Sequence, residues 1–294
     1  MKEKNLTFYS NGYRLASILY LPEDYKEGEK YPCVVVNSGY MGLNSIYPAL
    51  YARALTKKGY AVFGFDYRGF LENEGPSGVC KLEEQVEDIR NAVVFASLQK
   101  EVNSEEILLV GWGMAAALVM KAAALEPMVK AVAGLNGFYN GERWLASVNT
   151  YADFVKLKEE VKQERIRFIQ SGERKFDNPF HFYPLDPETK DVVVENLYVV
   201  KGYGQEISLE IGQSILEFNA EDYSDALNIP VFVGYGKDNL LHPAQESVAF
   251  FSTLHGDHNQ LYKIDGKHND FMFDDHPIFL QLVASLDTFF KHAL

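Results

Sequence analysis

The stretch from Ile107 to Ala117 combines a short apolar run, a glycine-containing turn and a run of small residues. Ile107 to Val110 has the length and apolarity of a buried strand, and Met114 to Met120 has the alanine-rich composition of a buried helix. A strand-turn-helix of the form G-x-S-x-G exposes a serine hydroxyl for nucleophilic attack. Here the turn reads Gly111-Trp112-Gly113-Met114-Ala115, so Gly113 stands in the place of that serine. The turn can offer backbone N–H groups to a ligand, but no attacking oxygen at this position.

The same residues also fit an ordinary βα turn of any parallel sheet, so the rest of the chain has to decide between the two interpretations. Residues 6–22 alternate polar and apolar around Asn11-Gly12, which predicts a β-hairpin. Strands and helices alternate after it. Strands are predicted at Cys33–Val36, Ala61–Phe65, Val129–Leu135, Val231–Tyr235 and Gln260–Ile264, and helices at Ile46–Lys58, Leu82–Gln99, Ala244–Leu254 and Ile278–His292. This order predicts an α/β fold with a mostly parallel sheet flanked by helices.

The alternation is interrupted between residues 137 and 227, where charged and aromatic side chains dominate. We expect residues 1–136 and 228–294 to form the core and residues 137–227 to form an inserted, mainly helical cap. Such a cap would cover the carboxyl ends of the strands, where open α/β sheets bind ligands. Most of its aromatic residues are expected to form its own small core, with Phe138 and Trp144 as candidate substrate-binding residues.

Composition narrows the classes of partner and cofactor. The 294 residues carry 41 acidic and 28 basic side chains, a formal charge of −13, which disfavours nucleic acid and anionic membranes as partners. The N-terminus lacks the apolar stretch of a signal peptide and no run approaches about 18 apolar residues, so a cytoplasmic location is expected. Cys33 and Cys80 are expected to be free thiols. Because CxxC, HExxH, GxGxxG and GxxxxGK[ST] patterns are absent, we expect no metal and no cofactor.

Three further segments carry a resemblance to a known family. Residues 34–42, VVVNSGYMG, resemble a strand and oxyanion loop usually written HGxxG, with Ser38 where histidine is common. Residues 64–69, GFDYRG, resemble an FDxRG loop, and residues 266–274, GKHNDFMFD, resemble a GxxHxDLYD segment. Together with the turn at Gly113, they make nearly the whole chain similar to α/β-hydrolase-fold proteins. It is most similar to the branch of dienelactone-hydrolase-like, acyl-peptidase-like and polyketide acyltransferase-like hydrolases.

This resemblance implies roles for several residues. His268 corresponds to the catalytic histidine, and the backbone N–H groups of Tyr40 and Met114 correspond to an oxyanion hole. Ser38 and Trp112 are then candidate substrate-binding residues beside that hole. Asp66 and Arg68, in the FDxRG-like loop, are expected to be structural.

The position of the acid that would hold the histidine stays open between two neighbours. The family's acid lies three residues after a glycine and four before a proline, and both spacings fall on Asn239. Asp238 would serve instead if the loop were shifted by one residue. An asparagine could orient the imidazole of His268 but would not stabilise imidazolium as a carboxylate does. His242, on the same loop, is expected at the surface or at the entry to a helix.

Without a side chain at Gly113, ordinary serine esterase chemistry is excluded at this position. The first interpretation is a noncovalent enzyme of lyase, cyclase or isomerase type, in which His268 acts as general base and the oxyanion hole holds an enolate of a small carbonyl or acyl compound. A second is a catalytically inactive protein that binds a ligand or a protein partner. A third is a hydrolase or acyltransferase that uses activated water or a displaced nucleophile, Ser38 or Cys80. Formation of a homodimer is left open.

Overall fold

A computed structural model describes residues 1–294 and contains a central eight-stranded sheet in the order β1-β2-β4-β3-β5-β6-β9-β10. Its strands are β1 (Lys2–Ser10), β2 (Tyr13–Leu21), β3 (Tyr31–Asn37), β4 (Ala61–Phe65), β5 (Val102–Trp112), β6 (Val129–Leu135), β9 (Val231–Gly236) and β10 (Gln260–Ile264); a separate pair is β7 (Phe176–Asp177) and β8 (Ile207–Ser208). The β1-β2 hairpin joins β4 antiparallel, and all other pairs of the large sheet are parallel. The predicted mostly parallel sheet is confirmed.

Helices cover both faces of this sheet. They are α1 (Tyr47–Leu55), α2 (Leu82–Ser97), α3 (Met114–Leu125), α4 (Gly141–Val148), α5 (Tyr151–Ser171), α6 (Pro187–Val192), α7 (Glu210–Glu217), α8 (Ala244–Phe251) and α9 (Pro277–Ala293). Two apolar cores lie on opposite sides of the sheet, and successive residues of β3 and β5 point into one core and then the other. A strand that is buried on both faces has to be apolar throughout, which is why β3 and β5 read as continuous apolar runs. No helix combines the length and the apolarity that crossing a membrane requires.

The chain between β6 and β9, called here the β6–β9 segment (residues 136–230), contains α4 to α7, the β7-β8 pair and short π and 3₁₀ turns. Its helices pack on one another and, through α7, on α2. Residues 178–186 have no regular structure apart from turns and bends. The division of the chain into a core and a cap stays a prediction.

The FDxRG-like loop after β4 has structural contacts. Arg68 makes a two-pronged ion pair with Asp88 of α2, with a shortest N–O distance of 2.6 Å, and both side chains are buried. Asp66 accepts a hydrogen bond from the backbone N–H of Asn44 at 2.7 Å. These contacts tie the loop to α2 and to the chain that follows β3. Because β3, β5, β6, β9 and β10 run parallel, the loops that follow them lie at one edge of the sheet.

Candidate active site

The turn between β5 and α3 holds Gly113 in a backbone conformation that most residues with a side chain avoid. Gly113 has φ +60° and ψ −125° and directly precedes α3. A Cβ built on Gly113 would meet nothing closer than 3.9 Å, where it would find the rings of His242 and His268. The position is therefore open, and two imidazoles face it.

Gly39, on the loop after β3, lets that loop approach the turn closely. A Cβ on Gly39 would lie 2.7 Å from the carbonyl oxygen of Trp112 and 3.6 Å from the nitrogen of Met114, so a side chain does not fit. The N–H of Met114 belongs to the first turn of α3, whose donors have no acceptor within the helix and lie at its positive end. The approach brings the Gly39–Tyr40 peptide beside this donor. An oxyanion hole formed by Tyr40 and Met114 stays a prediction that this geometry supports.

The side chain that lies against His268 is Asn239. Asn239 Nδ2 is 3.2 Å from His268 Nδ1, whereas Asn239 Oδ1 accepts a hydrogen bond from the backbone N–H of His242 at 3.0 Å. Asp238, the alternative, is exposed, and no hydrogen bond joins it to His268. The loop is therefore not shifted by one residue in this structure.

The orientation of Asn239 determines where neutral His268 carries its proton. The backbone N–H of His242 can only donate, so it holds the amide oxygen of Asn239 on its side and leaves the NH₂ group for His268. His268 Nδ1 must then accept, and the proton of the neutral ring lies on Nε2, the nitrogen 3.9 Å from the Cβ position of residue 113. Burial lowers the pKa of His268 to about 3, which keeps the ring neutral. A carboxylate at residue 239 would favour the opposite tautomer.

His242 is buried beside His268, which corrects the prediction of a surface position. It does lie at the entry to a helix, directly before Pro243, the N-cap residue of α8. The two ring centroids are 5.0 Å apart, with an interplanar angle of 80°. His242 Nδ1 is 2.6 Å from the carbonyl oxygen of Asn136, and His242 Nε2 is 2.8 Å from the hydroxyl of Tyr183. Burial and the neighbouring His268 lower the pKa of His242 well below its ordinary value. Nothing in the sequence around His242 distinguishes it from an ordinary loop histidine.

Asn136, immediately after β6, joins the loops that carry these groups. Its Nδ2 donates to the carbonyl oxygens of His268 at 2.7 Å and Lys267 at 3.1 Å, and its Oδ1 accepts from the backbone N–H of Gly236. It has a φ of +50°, which asparagine tolerates better than most residues. Sequence reasoning misses Asn136, although asparagine directly after a predicted buried strand was the available signal.

A small cavity of about 50 Å³ lies beside Gly113. The predicted residues Ser38, Tyr40, Trp112 and His268 line it, together with Tyr183 and other residues of the β6–β9 segment. The Tyr40 phenol is not free for a ligand, because it donates to the carbonyl oxygen of Pro179 at 2.6 Å. The Tyr40 ring stacks on Tyr183 with centroids 4.4 Å apart.

Phe138 and Trp144 do not line this cavity, and their proposed contact with substrate is not supported. The two rings stack on each other with centroids 4.4 Å apart, and both are fully buried. They pack against the ring of His242 at 5.5 and 5.1 Å, and Trp144 Nε1 donates to the carbonyl oxygen of Leu241 at 2.7 Å. These two residues form the wall behind His242.

Cys80 does not fit the role of displaced nucleophile. It does not line the cavity, and burial raises the pKa of its thiol to about 12. The reactive form of cysteine is the thiolate, which is scarce at such a pKa. Both cysteines are free and buried.

Comparisons with known proteins agree with this architecture. The family model described as "Serine aminopeptidase, S33" matches residues 28–276. A 31.7 kDa protein in the traX-finO intergenic region of Escherichia coli is 24% identical over 270 residues, which are 90% of this chain and 92% of the relative.

Solved structures show the same fold. The crystal structure of hypothetical protein PA2218 from Pseudomonas aeruginosa superimposes with a TM-score of 0.81 at 22% identity, covering 100% of this chain and 94% of that one. The alpha/beta hydrolase GrgF from Penicillium sp. sh18 gives a TM-score of 0.81 at 15% identity, covering 100% and 99%. At such identities the likeness concerns the fold. With an eight-stranded sheet of this order and a family match over most of its length, the chain belongs to the serine aminopeptidase S33 family and has the α/β-hydrolase fold.

Proposed function

We propose that this protein binds a small carbonyl or acyl compound beside Gly113 and acts on it without a covalent intermediate, as a lyase, cyclase or isomerase. In this proposal the backbone N–H groups of Tyr40 and Met114 and the Nε2–H of His268 hold the substrate oxygen as it gains negative charge. Preorganised donors of this kind are worth about 10²–10³ in rate each. Neutral imidazole is known to act as such a donor in other enzymes.

The observation that carries the proposal is the contact of Asn239 with His268 at 3.2 Å. It favours a donor at Nε2, whereas the sequence predicts His268 as a general base, which would need a lone pair there. The open space at Gly113 supports the same conclusion, because no side-chain hydroxyl is present for His268 to deprotonate. Our proposal therefore departs from the role that the family resemblance implies for this histidine.

The β6–β9 segment acts as the cap of this site in our proposal. Phe180, Tyr183, Leu185, Thr189 and Tyr203 line the cavity from that segment. The hydrogen bond from Tyr40 to Pro179 ties the oxyanion loop to the same segment. A mostly apolar surround strengthens hydrogen bonds to a developing charge.

The test follows incorporation of deuterium next to the carbonyl group of short-chain ketones and β-hydroxy ketones in D₂O by NMR. The wild-type protein is expected to accelerate exchange for at least one compound, and His268→Ala is expected to remove most of the acceleration. Asn239→Asp separates the two roles of His268, because a carboxylate moves the proton from Nε2 to Nδ1. A donor role predicts about a 10²-fold loss in this variant.

A gain of activity in Asn239→Asp would contradict the donor role and support a general base. No exchange above buffer for any compound would contradict the noncovalent enzyme. If such compounds nonetheless raise the melting temperature, the ligand-binding alternative is favoured, since a ligand that binds only the native state stabilises it by mass action.

A further inference from the structure

We propose that Tyr183 and His242 form the base of this site, with Tyr183 taking a proton from the substrate while it passes its own proton to His242. This inference rests on the proposed function and supplies the group that removes the proton, which a donor at His268 cannot do. In this scheme His268 donates a hydrogen bond to the substrate oxygen, whereas His242 accepts a proton from Tyr183.

The hydrogen bonds of His242 set its tautomer opposite to that of His268. The carbonyl oxygen of Asn136, 2.6 Å from His242 Nδ1, can only accept, so Nδ1 of the neutral ring carries the proton. His242 Nε2 then has a free lone pair, and the Tyr183 hydroxyl at 2.8 Å donates to it. One imidazole of the pair offers N–H and the other offers a lone pair, with ring centroids 5.0 Å apart.

The ring of His242 faces the open position at Gly113, and Tyr183 belongs to the lining of the cavity beside it. His242 Cε1, bonded to Nε2, is 3.9 Å from where a Cβ of residue 113 would be, and Tyr183 lines the cavity. Tyr183 is held on two sides, by its stacking on Tyr40 and by an edge contact to His242 with centroids 5.9 Å apart. The hydroxyl is thereby directed to His242 by packing as well as by the hydrogen bond.

The proton transfer balances as follows. The substrate C–H bond breaks, and its electron pair remains on the substrate as an enolate whose oxygen accepts from His268 Nε2–H. The released proton bonds to Tyr183 Oη, and the former hydroxyl proton bonds to His242 Nε2, giving an imidazolium. Burial opposes this charge, whereas the Asn136 carbonyl and the Asp186 carboxylate favour it and the enolate balances it. The transfer is thus coupled to a bound substrate. Exchange of the Tyr183 hydroxyl proton with water before the reverse steps then places a solvent deuteron on the substrate carbon.

The experiment compares Tyr183→Phe with wild type in the deuterium exchange assay. Phenylalanine keeps the ring stacked on Tyr40 and removes only the hydroxyl, and Tyr262→Phe, on β10 away from the cavity, is the matched control. We expect Tyr183→Phe to lose about 10²-fold or more in exchange rate. The control should keep the wild-type rate.

The tautomers are measured on ¹⁵N-histidine-labelled protein without any ligand. Two-bond ¹H–¹⁵N correlation spectra should place the ring proton of His242 on Nδ1 and that of His268 on Nε2. A proton on Nε2 of His242, or a Tyr183→Phe variant that exchanges as fast as wild type, would overturn the relay. If Tyr183→Phe is fully active while His268→Ala is not, the proposed function stands and only the relay fails. Failure of exchange in the wild type removes both.

Discussion

At the scale of single residues, an amide in place of a carboxylate reverses the direction of a hydrogen bond. Asn239 holds His268 through its NH₂ group because its oxygen is already bound to the backbone N–H of His242. The resemblance assigns the acid to residue 239 and the nucleophile to residue 113, and the asparagine and the glycine found there suit each other. A serine at residue 113 would meet an imidazole already protonated on the nitrogen that faces it.

This coupling predicts that esterase activity needs two substitutions. Gly113→Ser has room, since the nearest atoms to the new Cβ are 3.9 Å away, although the positive φ strains a side chain. Alone it should hydrolyse p-nitrophenyl acetate weakly, because His268 Nε2 has no lone pair to accept the serine proton. Adding Asn239→Asp should raise kcat by up to about 10⁴-fold over Gly113→Ser, the scale of loss seen when a triad carboxylate becomes an amide.

Gly113→Ala combined with Asn239→Asp is the control for this experiment, because it fills the turn without a nucleophile. It should give neither an acyl-enzyme burst nor turnover. Equal activity of Gly113→Ser with and without Asn239→Asp would show that residue 239 does not set the tautomer of His268.

At the scale of elements, the sequence predicts the strands and helices well and the site only in part. The strands Ala61–Phe65, Val129–Leu135 and Gln260–Ile264 have the predicted bounds. Ala61–Phe65 is a continuous apolar run, which leaves little choice about its limits. Helix ends are less certain: α2 ends at Ser97 where Gln99 was predicted. The final turn of a helix has few side-chain signals to mark it.

The loop contacts of the site could not be predicted from the sequence. Asn136 and His242 are 106 positions apart, and Tyr183 lies between them in a segment with no regular pattern. Their meeting depends on the order of strands in the sheet and on how the β6–β9 segment packs. The placement of His268 and Asn239 was accessible because each lies in a segment with a recognisable family pattern.

Asn136 allows a prediction about how the loops are joined. Asn136→Gly keeps the positive φ and loses the three side-chain hydrogen bonds to His268, Lys267 and Gly236. Because buried backbone groups would be left without partners, we expect a loss of about 3 kcal/mol in the free energy of unfolding. Asn136→Ala should lose about 1 kcal/mol more, because alanine is strained at this φ.

Urea denaturation at constant slope m measures both values for Asn136. If both variants unfold within about 0.5 kcal/mol of wild type, the three loops hold together without this residue. If Asn136→Ala has a higher free energy of unfolding than Asn136→Gly, the positive φ of residue 136 does not strain a side chain as proposed.

At the scale of the whole molecule, the fold buries two neutral histidines side by side at the edge of a sheet with apolar cores on both faces. His268 and His242 are fully within the protein, and burial is the first cause of the lowered pKa of each. Asp66 behaves in the opposite direction, because its burial raises its pKa to about 6. Because these pKa values differ between the native and the unfolded protein, the free energy of unfolding depends on pH.

The linkage predicts a pH dependence of unfolding with a definite sign. Histidine in the unfolded chain takes up a proton near its ordinary pKa of 6.5, whereas native His268 stays neutral down to about pH 3. The contribution of His268 to the free energy of unfolding is complete well above pH 6.5. It is lost as the pH falls through that value, and the slope approaches about 1.4 kcal/mol per pH unit at lower pH. Asp66 acts with opposite sign between about pH 4 and 6, so the slope of His268 is best isolated as a difference between proteins.

Urea denaturation between pH 7 and 5 should show that the free energy of unfolding of His268→Gln falls less steeply with pH than that of wild type. The difference should average about 1 kcal/mol per pH unit, because the unfolded-state pKa of 6.5 lies inside this range. His258→Gln, at an exposed position, is the matched control and should keep the wild-type slope, because water solvates that ring in both states. A wild-type slope in His268→Gln would mean that His268 takes up its proton in the native protein as readily as in the unfolded chain. The imidazole would then be accessible to water and charged under mild acid, which is incompatible with a buried neutral donor.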